Sequence, residues 1–468
     1  MMARNRSFWI LSLALSLVLF QIGLVGCGGG SSASNVPTPT PTPTPTPMPP
    51  ASGSEFFYAF SPLDNNLVST LTPSTGALSV FQDATPGNSA PLGGWLNNPY
   101  AAATPSGKYL YVSALAEGYT QTTPAIFGYS ITGSEGQLSG VPGSTLVTQD
   151  IAPTGMVMDG LGRFLYVSNY SPPYTYVDPY SGNFISRYKV YSDGLVEGIS
   201  PIAPFTENAR VMILSAEAAD PAGNFIYAVG YAQSGIDVFV YAIDPTTGVL
   251  SETSGSPYTI STPDLSGTYN VGEQAMQLLV SPSGDFLYAL VGPLMPFTHD
   301  VYFYSFAVNR STGALTQVTG SPFPLNNSIE ILGQNVGLTR IGAVLSPDGS
   351  FLYVPTSTMV GNQLQISICS ISVLAIVPSL GSINPAPVST TGPDTGCQIS
   401  MDPSGKVLIA NPAGSFDDPS DSIMSYTVNA STGALTQAIG SPFRVGPALP
   451  AVLSQPFYLT NSAWVKIP

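Results

Sequence analysis

The sequence predicts an all-β chain, a β-propeller built from four-stranded antiparallel blades. Three observations lead there. An apolar phrase of the type Gly-x-Phe-Leu-Tyr-Val recurs along most of the chain. A Gly turn, often Ser-Thr-Gly or Thr-Thr-Gly, follows these copies at a similar distance, and no stretch of the body carries a long helical period.

The repeat is clearest in "GKYLYV" (107–112), "GRFLYV" (162–167), "GNFIYA" (223–228), "GDFLYA" (284–289), "GSFLYV" (349–354) and "GKVLIA" (405–410), at spacings of roughly 51 to 65 residues. "FFYAF" (56–60) opens the series and "PFYLT" (456–460) closes it. A second signature is repeated almost verbatim: "STGALTQVTGSPF" (311–323) and "STGALTQAIGSPF" (431–443). The twins mark one corner of two repeat units with a further unit between them.

Each unit parses into four strands. An apolar lead-in such as "QAMQLLVS" (274–281) meets a tight Pro-x-Gly turn, in which Pro fixes φ and Gly supplies positive φ. The Phe-Leu-Tyr-Val strand follows. An alternating strand such as "VYFYSFAV" (301–308) is third, and the Thr-Gly turn leads into the fourth. Lead-in strands are expected near residues 98, 156, 214, 277, 342, 398 and 451. Seven blades are the simplest ring, with both chain ends sharing one blade so that few sheet edges stay open. Eight blades are the alternative.

The N-terminal segment carries a different message. Arg4 and Arg6 precede an apolar run that ends in Leu24-Val25-Gly26-Cys27. Residues 1–27 read as a secretory signal peptide, and its end resembles a bacterial lipobox, which implies lipid on Cys27. Gly28 resembles an outer-membrane address. Residues 28–50 are Gly/Ser-rich and then alternate Thr with Pro, a composition for an extended tether. The propeller is assigned to residues 51–468. A monomer anchored to the cell envelope through Cys27 is the expectation.

Charge excludes some partners. Twelve Lys and Arg face 27 Asp and Glu, for a net charge of −15, and two of the twelve lie in the leader. Nucleic acid does not suit such a surface. Cys369 and Cys397 remain for the body, and an oxidising compartment would permit a bridge between them; two buried thiols are the other reading.

The phrases "P-[SD]-G-x-[FY]-L-Y-V" and "Y-x-I-x-x-x-T-G-x-L…G-S-P-F" resemble the seven-bladed lactonase family, whose relatives include 6-phosphogluconolactonase and a carboxymuconate lactonising enzyme. The resemblance spans about residues 55–468. It rests on turn and core positions and so speaks to fold more than to function. It implies lactone hydrolysis as one activity.

Connections give the site. The turns joining strands one to two and three to four are short and share one rim. Those joining two to three, and each blade to the next, are long and share the other rim, as in "NYSPPYTYVDPYSGN" (169–183). Ligands are expected at that long-loop face. Entering it are Glu207, Arg210, Glu273, His299 and Arg340, a set able to hold a small organic anion. The arginines could equally pair with Glu207, Glu217 or Glu273. Glu273, His299 and Arg340 are the catalytic candidates for lactone opening, which needs a base for water and a cation for the carbonyl oxygen. The chain has one histidine, His299, with no shared motif around it. Loop aromatics, among them Tyr119, Tyr170, Tyr174, Tyr176, Tyr180, Tyr258, Tyr269 and Phe297, suit sugars or peptides. "SFDDPSDS" (415–422) lacks a recognised cation-loop spacing, and no metal or cofactor is expected. The reading is a binding module for a protein, peptide or glycan, with a lactone hydrolase as the alternative.

Overall fold

The computed structural model describes residues 53–468, apart from 60–66, 80–81, 84–94, 119–120, 145, 148–152, 170–183, 200–210, 233–234, 261–273, 294–300, 326–341, 360–366, 386, 392–396, 413–421 and 445–461. Those residues form seven antiparallel sheets, and no helix occurs among them. The ring has seven blades, not eight.

Blade 1 shows the plan. Trp95–Ala103 is innermost, Tyr109–Gly118 second, Gln121–Thr132 third and Gln137–Gly140 outermost. The innermost strands meet one another around the centre. Trp95–Ala103, for example, touches the innermost strands of blade 2 (Pro153–Met158) and blade 7 (Ser462–Lys466). Blade 7 is shared by the two ends of the body: Glu55–Ala59, Leu67–Thr72 and Ala77–Leu78 are joined by Ser462–Lys466 on the inside. The closing strand is therefore an innermost one and lies later than the lead-in expected near residue 451. "PFYLT" (456–460) falls outside the described residues and is not needed to complete a blade.

The Phe-Leu-Tyr-Val strand is second in each blade, and its alternation has a definite meaning. In blade 2, Phe164 and Tyr166 join the apolar core shared with blade 3, whereas Leu165 and Val167 join the core shared with blade 1. In blade 5, Phe351 and Tyr353 face blade 6, and Leu352 and Val354 face blade 4. Both faces of the strand are buried, so it reads as a continuous apolar run. The described core consists of seven such clusters, one at each junction between blades. A buried side chain of this size contributes about 1.5–3 kcal/mol, and nearly all of that gain comes from the neighbouring blade.

The twin phrases supply the other half of each junction. The ring of Phe351 lies where a side chain on Gly433 would be, 2.6 Å from the ideal Cβ position, and the Tyr353 hydroxyl donates to the Gly433 carbonyl at 3.1 Å. The same bond joins Tyr58 to Gly136 (2.6 Å), Tyr111 to Gly194 (2.9 Å) and Tyr166 to Gly248 (2.9 Å). In blades 4 and 6 a serine on the third strand takes over: Ser305 donates to Gly381 and Ser425 to Gly76, each at 2.6 Å. In "GSPF", Ser321 and Ser441 accept from the backbone N–H of Ser305 and Ser425, both at 2.9 Å. These serines bridge the step at which the outermost strand breaks into two pieces.

The turns between strands one and two have a cap that the Pro-x-Gly reading passed over. The residue before the Pro, or its equivalent, accepts a backbone N–H from the far side of the turn. Thr104 binds Tyr109, Asp159 Phe164, Ser281 Phe286, Ser346 Phe351 and Asp402 Val407, at 3.1, 2.9, 3.0, 2.9 and 2.6 Å. Asp220 accepts from Asn224 at 3.0 Å and is neutralised by Arg310 of the next blade at 2.5 Å.

The junction of blades 6 and 7 departs from the pattern. Val407 and Ile409 stand where other blades carry aromatic rings. Glu55, only 3% exposed, lies beside Asp402, and Lys466 approaches its carboxylate at 3.3 Å. Burial first, then the hydrogen bond and charge of Asp402, push the Glu55 carboxyl up to about 7, with Lys466 opposing them.

Two predictions follow from this architecture. Gly433 combines φ +71° with a ring against it, whereas Gly255 has φ +92° and open space around it. Gly433→Ala is expected to cost about 2–3 kcal/mol, from overpacking added to left-handed strain, and Gly255→Ala only about 1 kcal/mol; urea unfolding midpoints would measure both, and equal losses would refute the latch. For Glu55, the folded state holds its proton more tightly than the unfolded chain. Its contribution is therefore complete at acid pH and is lost as pH rises from the ordinary carboxylate range through about 7. Glu55→Gln is expected to flatten the fall in melting temperature over that window and to melt higher than the parent at pH 8. A parallel pH profile in both proteins would contradict the assignment.

Candidate functional site

The alternation of strands separates the two rims as the sequence implies. Capped turns and latch glycines occupy one rim. The connections from Asn169 to Phe184 in blade 2 and from Pro293 to Val301 in blade 4 leave from the other, as do the links between blades. Cys27 and the residues expected at that mouth, Glu207, Arg210, Glu273, His299 and Arg340, lie outside the described residues, as does most of "SFDDPSDS". Among the described residues, no group of His, Cys, Asp and Glu is arranged to hold a metal ion. Cys369 lies on the third strand of blade 5, Ser367–Val377, and Cys397 begins the innermost strand of blade 6, Cys397–Met401.

Tyr258 is a correction. It belongs to a short outer strand, Tyr258–Ile260, rather than to a loop platform. Its ring stands edge-on to Phe306 at 4.8 Å, and its hydroxyl donates to Gln317 at 3.1 Å, so it packs the junction of blades 3 and 4. The other named loop aromatics lie outside the described residues.

A cleft that sequence reasoning missed opens on the short-turn rim. It measures about 550 Å³ and is lined by blade 1 (Thr104–Tyr109), blade 2 (Leu161–Phe164 and Lys189–Ser192) and the Pro245-Thr246 turn of blade 3. Its groups are held in place by local bonds. Arg163 donates its Nε to Asp159 and an Nη to the Gly223 carbonyl, both at 2.8 Å. Tyr109 donates its hydroxyl to the Ser192 carbonyl at 3.2 Å. The Lys189 amine sits 5.0 Å from the centre of the Tyr191 ring, within cation–π range. Lys108 is exposed at the edge. The lining thus combines cations, aromatic rings and hydroxyls, groups suited to binding. The sequence signal was faint, because these residues come from separate blades and none sits in a long loop.

No family model matches the chain, and no curated protein matches it. Solved structures do. A candidate 6-phosphogluconolactonase of Bacteroides uniformis shares 17% identity at TM-score 0.56, covering 89% of this chain and 100% of its own. One from Bacteroides fragilis shares 15% at TM-score 0.55, covering 84% and 96%. A periplasmic gluconolactonase of Pseudomonas aeruginosa shares 16% at TM-score 0.57, covering 89% and 99%. At such identities the likeness establishes architecture alone: the chain has the seven-bladed propeller fold of these structures.

Proposed function

We propose that the chain is a lipid-anchored propeller of the cell envelope that binds a protein, peptide or glycan through its long-loop face. The observation that carries this reading is the unequal use of the two rims. Caps and latches take up the short turns, while the long connections leave the opposite rim free to vary around a rigid frame. The leader ending at Cys27 and the Thr-Pro tether support the placement.

A second reading is hydrolysis of a small anionic lactone, favoured by the gluconolactonase names of the structural neighbours, one of them periplasmic. In that case Glu273 serves as the base toward water, with Arg340 or His299 at the carbonyl oxygen. A positioned base and an oxyanion donor each contribute about 10²–10⁴-fold or a similar factor, so the activity would stand well clear of spontaneous ring opening.

The two readings separate in one assay. The purified protein, given glucono-δ-lactone and its 6-phosphate, is expected to leave the spontaneous rate unchanged. Hydrolysis above background that disappears in Glu273→Gln and Arg340→Ala, with melting unchanged, would replace the binding reading by the enzymatic one. Anchoring is tested separately. Labelled palmitate should enter the parent chain and not Cys27→Ser; equal labelling would remove the lipid anchor.

A further inference from the structure

We propose that the cleft between blades 1 and 2 binds an acidic oligosaccharide, a short chain of sugars bearing carboxylates. The site lies on the rim opposite the long-loop mouth and does not depend on how that mouth is read.

Charge is the first argument. The chain carries 12 Lys and Arg against 27 Asp and Glu, yet Lys108, Arg163 and Lys189 line this cleft and no acid does. Asp159 lies behind Arg163 and is fully buried, and it also caps its own turn. It fixes the guanidinium and offsets part of its charge. Arg163 is held through Nε and one Nη, and its side chain is still 29% exposed. Lys108 and Lys189 are exposed and have no ion pair among the described residues. Acids stand just outside the lining and keep their charge: Glu197, opposite Lys189 across the strands, accepts from the Tyr191 hydroxyl at 2.5 Å, Asp193 from the Leu195 N–H at 3.1 Å, and Asp244 from Thr246 and Thr247 at 3.0 and 2.7 Å. The side chains that a ligand in the cleft touches directly are nonetheless the cations Lys108, Arg163 and Lys189, together with hydroxyls and rings.

The uncharged lining points to sugar. Tyr109 and Tyr191 are half-buried, and each is steadied by a hydroxyl bond, to Ser192 and Glu197. Such rings offer apolar faces to sugar C–H groups. Ser106 and Ser192 are exposed at the rim as hydroxyl partners. A volume of about 550 Å³ falls within the range of small-ligand sites. Partly immobilised cations around an aromatic wall suit carboxylates spaced along a saccharide better than a neutral glycan.

The test is calorimetric titration of the purified protein with tetragalacturonate, with maltotetraose as the neutral counterpart. Tetragalacturonate is expected to bind and maltotetraose to bind at least tenfold more weakly. Each of Lys108→Gln and Lys189→Gln should weaken binding about fivefold, the size of an exposed ion pair. Raising salt from about 0.05 M to about 0.5 M should weaken it further. Unchanged far-ultraviolet dichroism and melting would show that the variants fold. Tyr191→Ala should weaken binding to both saccharides. No binding of tetragalacturonate, equal binding of maltotetraose, or unaltered affinity in both Lys108→Gln and Lys189→Gln would each overturn the proposal. The last outcome would move the acidic sugar to some other part of the surface.

Discussion

An aromatic ring closing on a bare glycine of the next blade is the contact on which the rest of this structure depends. A single four-stranded blade has two apolar faces and no interior of its own. It becomes stable only when each face is covered, and the covering surface always belongs to a neighbour. The latch sets how closely two blades approach. Phe351 can reach its seat because Gly433 has no Cβ, and Tyr353 then finds a backbone carbonyl at that depth. Without that acceptor, a phenol hydroxyl in the core would cost about 1–3 kcal/mol. At this junction one pair of motifs thus settles spacing, core density and the phenol's hydrogen bond, whereas the Tyr227 hydroxyl of blade 3 is buried without such a partner.

This arrangement also accounts for the unusual composition. A strand buried on both faces has no solvent side on which to place charge, so only 8% of the residues are charged. Many of the described charges sit at turns. There they perform local tasks, such as Arg310 neutralising the buried Asp220 across a junction. Truncating Arg310 would strand that carboxylate, and the loss would exceed what a surface ion pair contributes.

The fold was legible because it is said repeatedly. Strands of the Phe-Leu-Tyr-Val type recur with every blade and the Thr-Gly turn with several, and a signal present in several copies survives local exceptions such as Val407 and Ile409. Features that occur once were harder to read. The closing strand Ser462–Lys466 has no Phe-Leu-Tyr-Val phrase, since it is an innermost strand, and "PFYLT" just before it resembled the motif more. The caps at Ser281, Ser346 and Asp402 were hidden because Ser, Thr and Asp all accept a backbone N–H and so share no letter. Tyr258 looked like a loop residue from its Pro and Gly neighbours, although pairing with the third strand makes it part of the sheet. The cleft left only a faint signal. Lys108, Arg163 and Lys189 are remote in sequence and meet only because adjacent blades bring their turns to one rim.

The closure of the ring has a further requirement that the other junctions do not share. Six blades are continuous in sequence, whereas the seventh must find its innermost strand from the far end of the chain. Hydrogen bonding between strands does not by itself choose a register, and a slip of one residue turns every side chain to the opposite face. Here Glu55 pairs with Lys466, Phe57 with Trp464 and Ala59 with Ser462. Shifted by one position, Glu55 would lie opposite Val465 or Ile467 and keep a buried carboxyl beside Asp402 without its ammonium partner. Trp464 would at the same time leave the ring of Phe57, which it meets at 4.9 Å. The strained carboxyl pair thus weakens the closed ring at neutral pH while penalising the alternatives more heavily. The other blades also carry a polar residue at this point, Lys108, Arg163, Asn224, Asp285, Ser350 and Lys406, so blade 7 differs in burying its acid against Asp402, and that burial is what ties the register of the closing strand to Lys466.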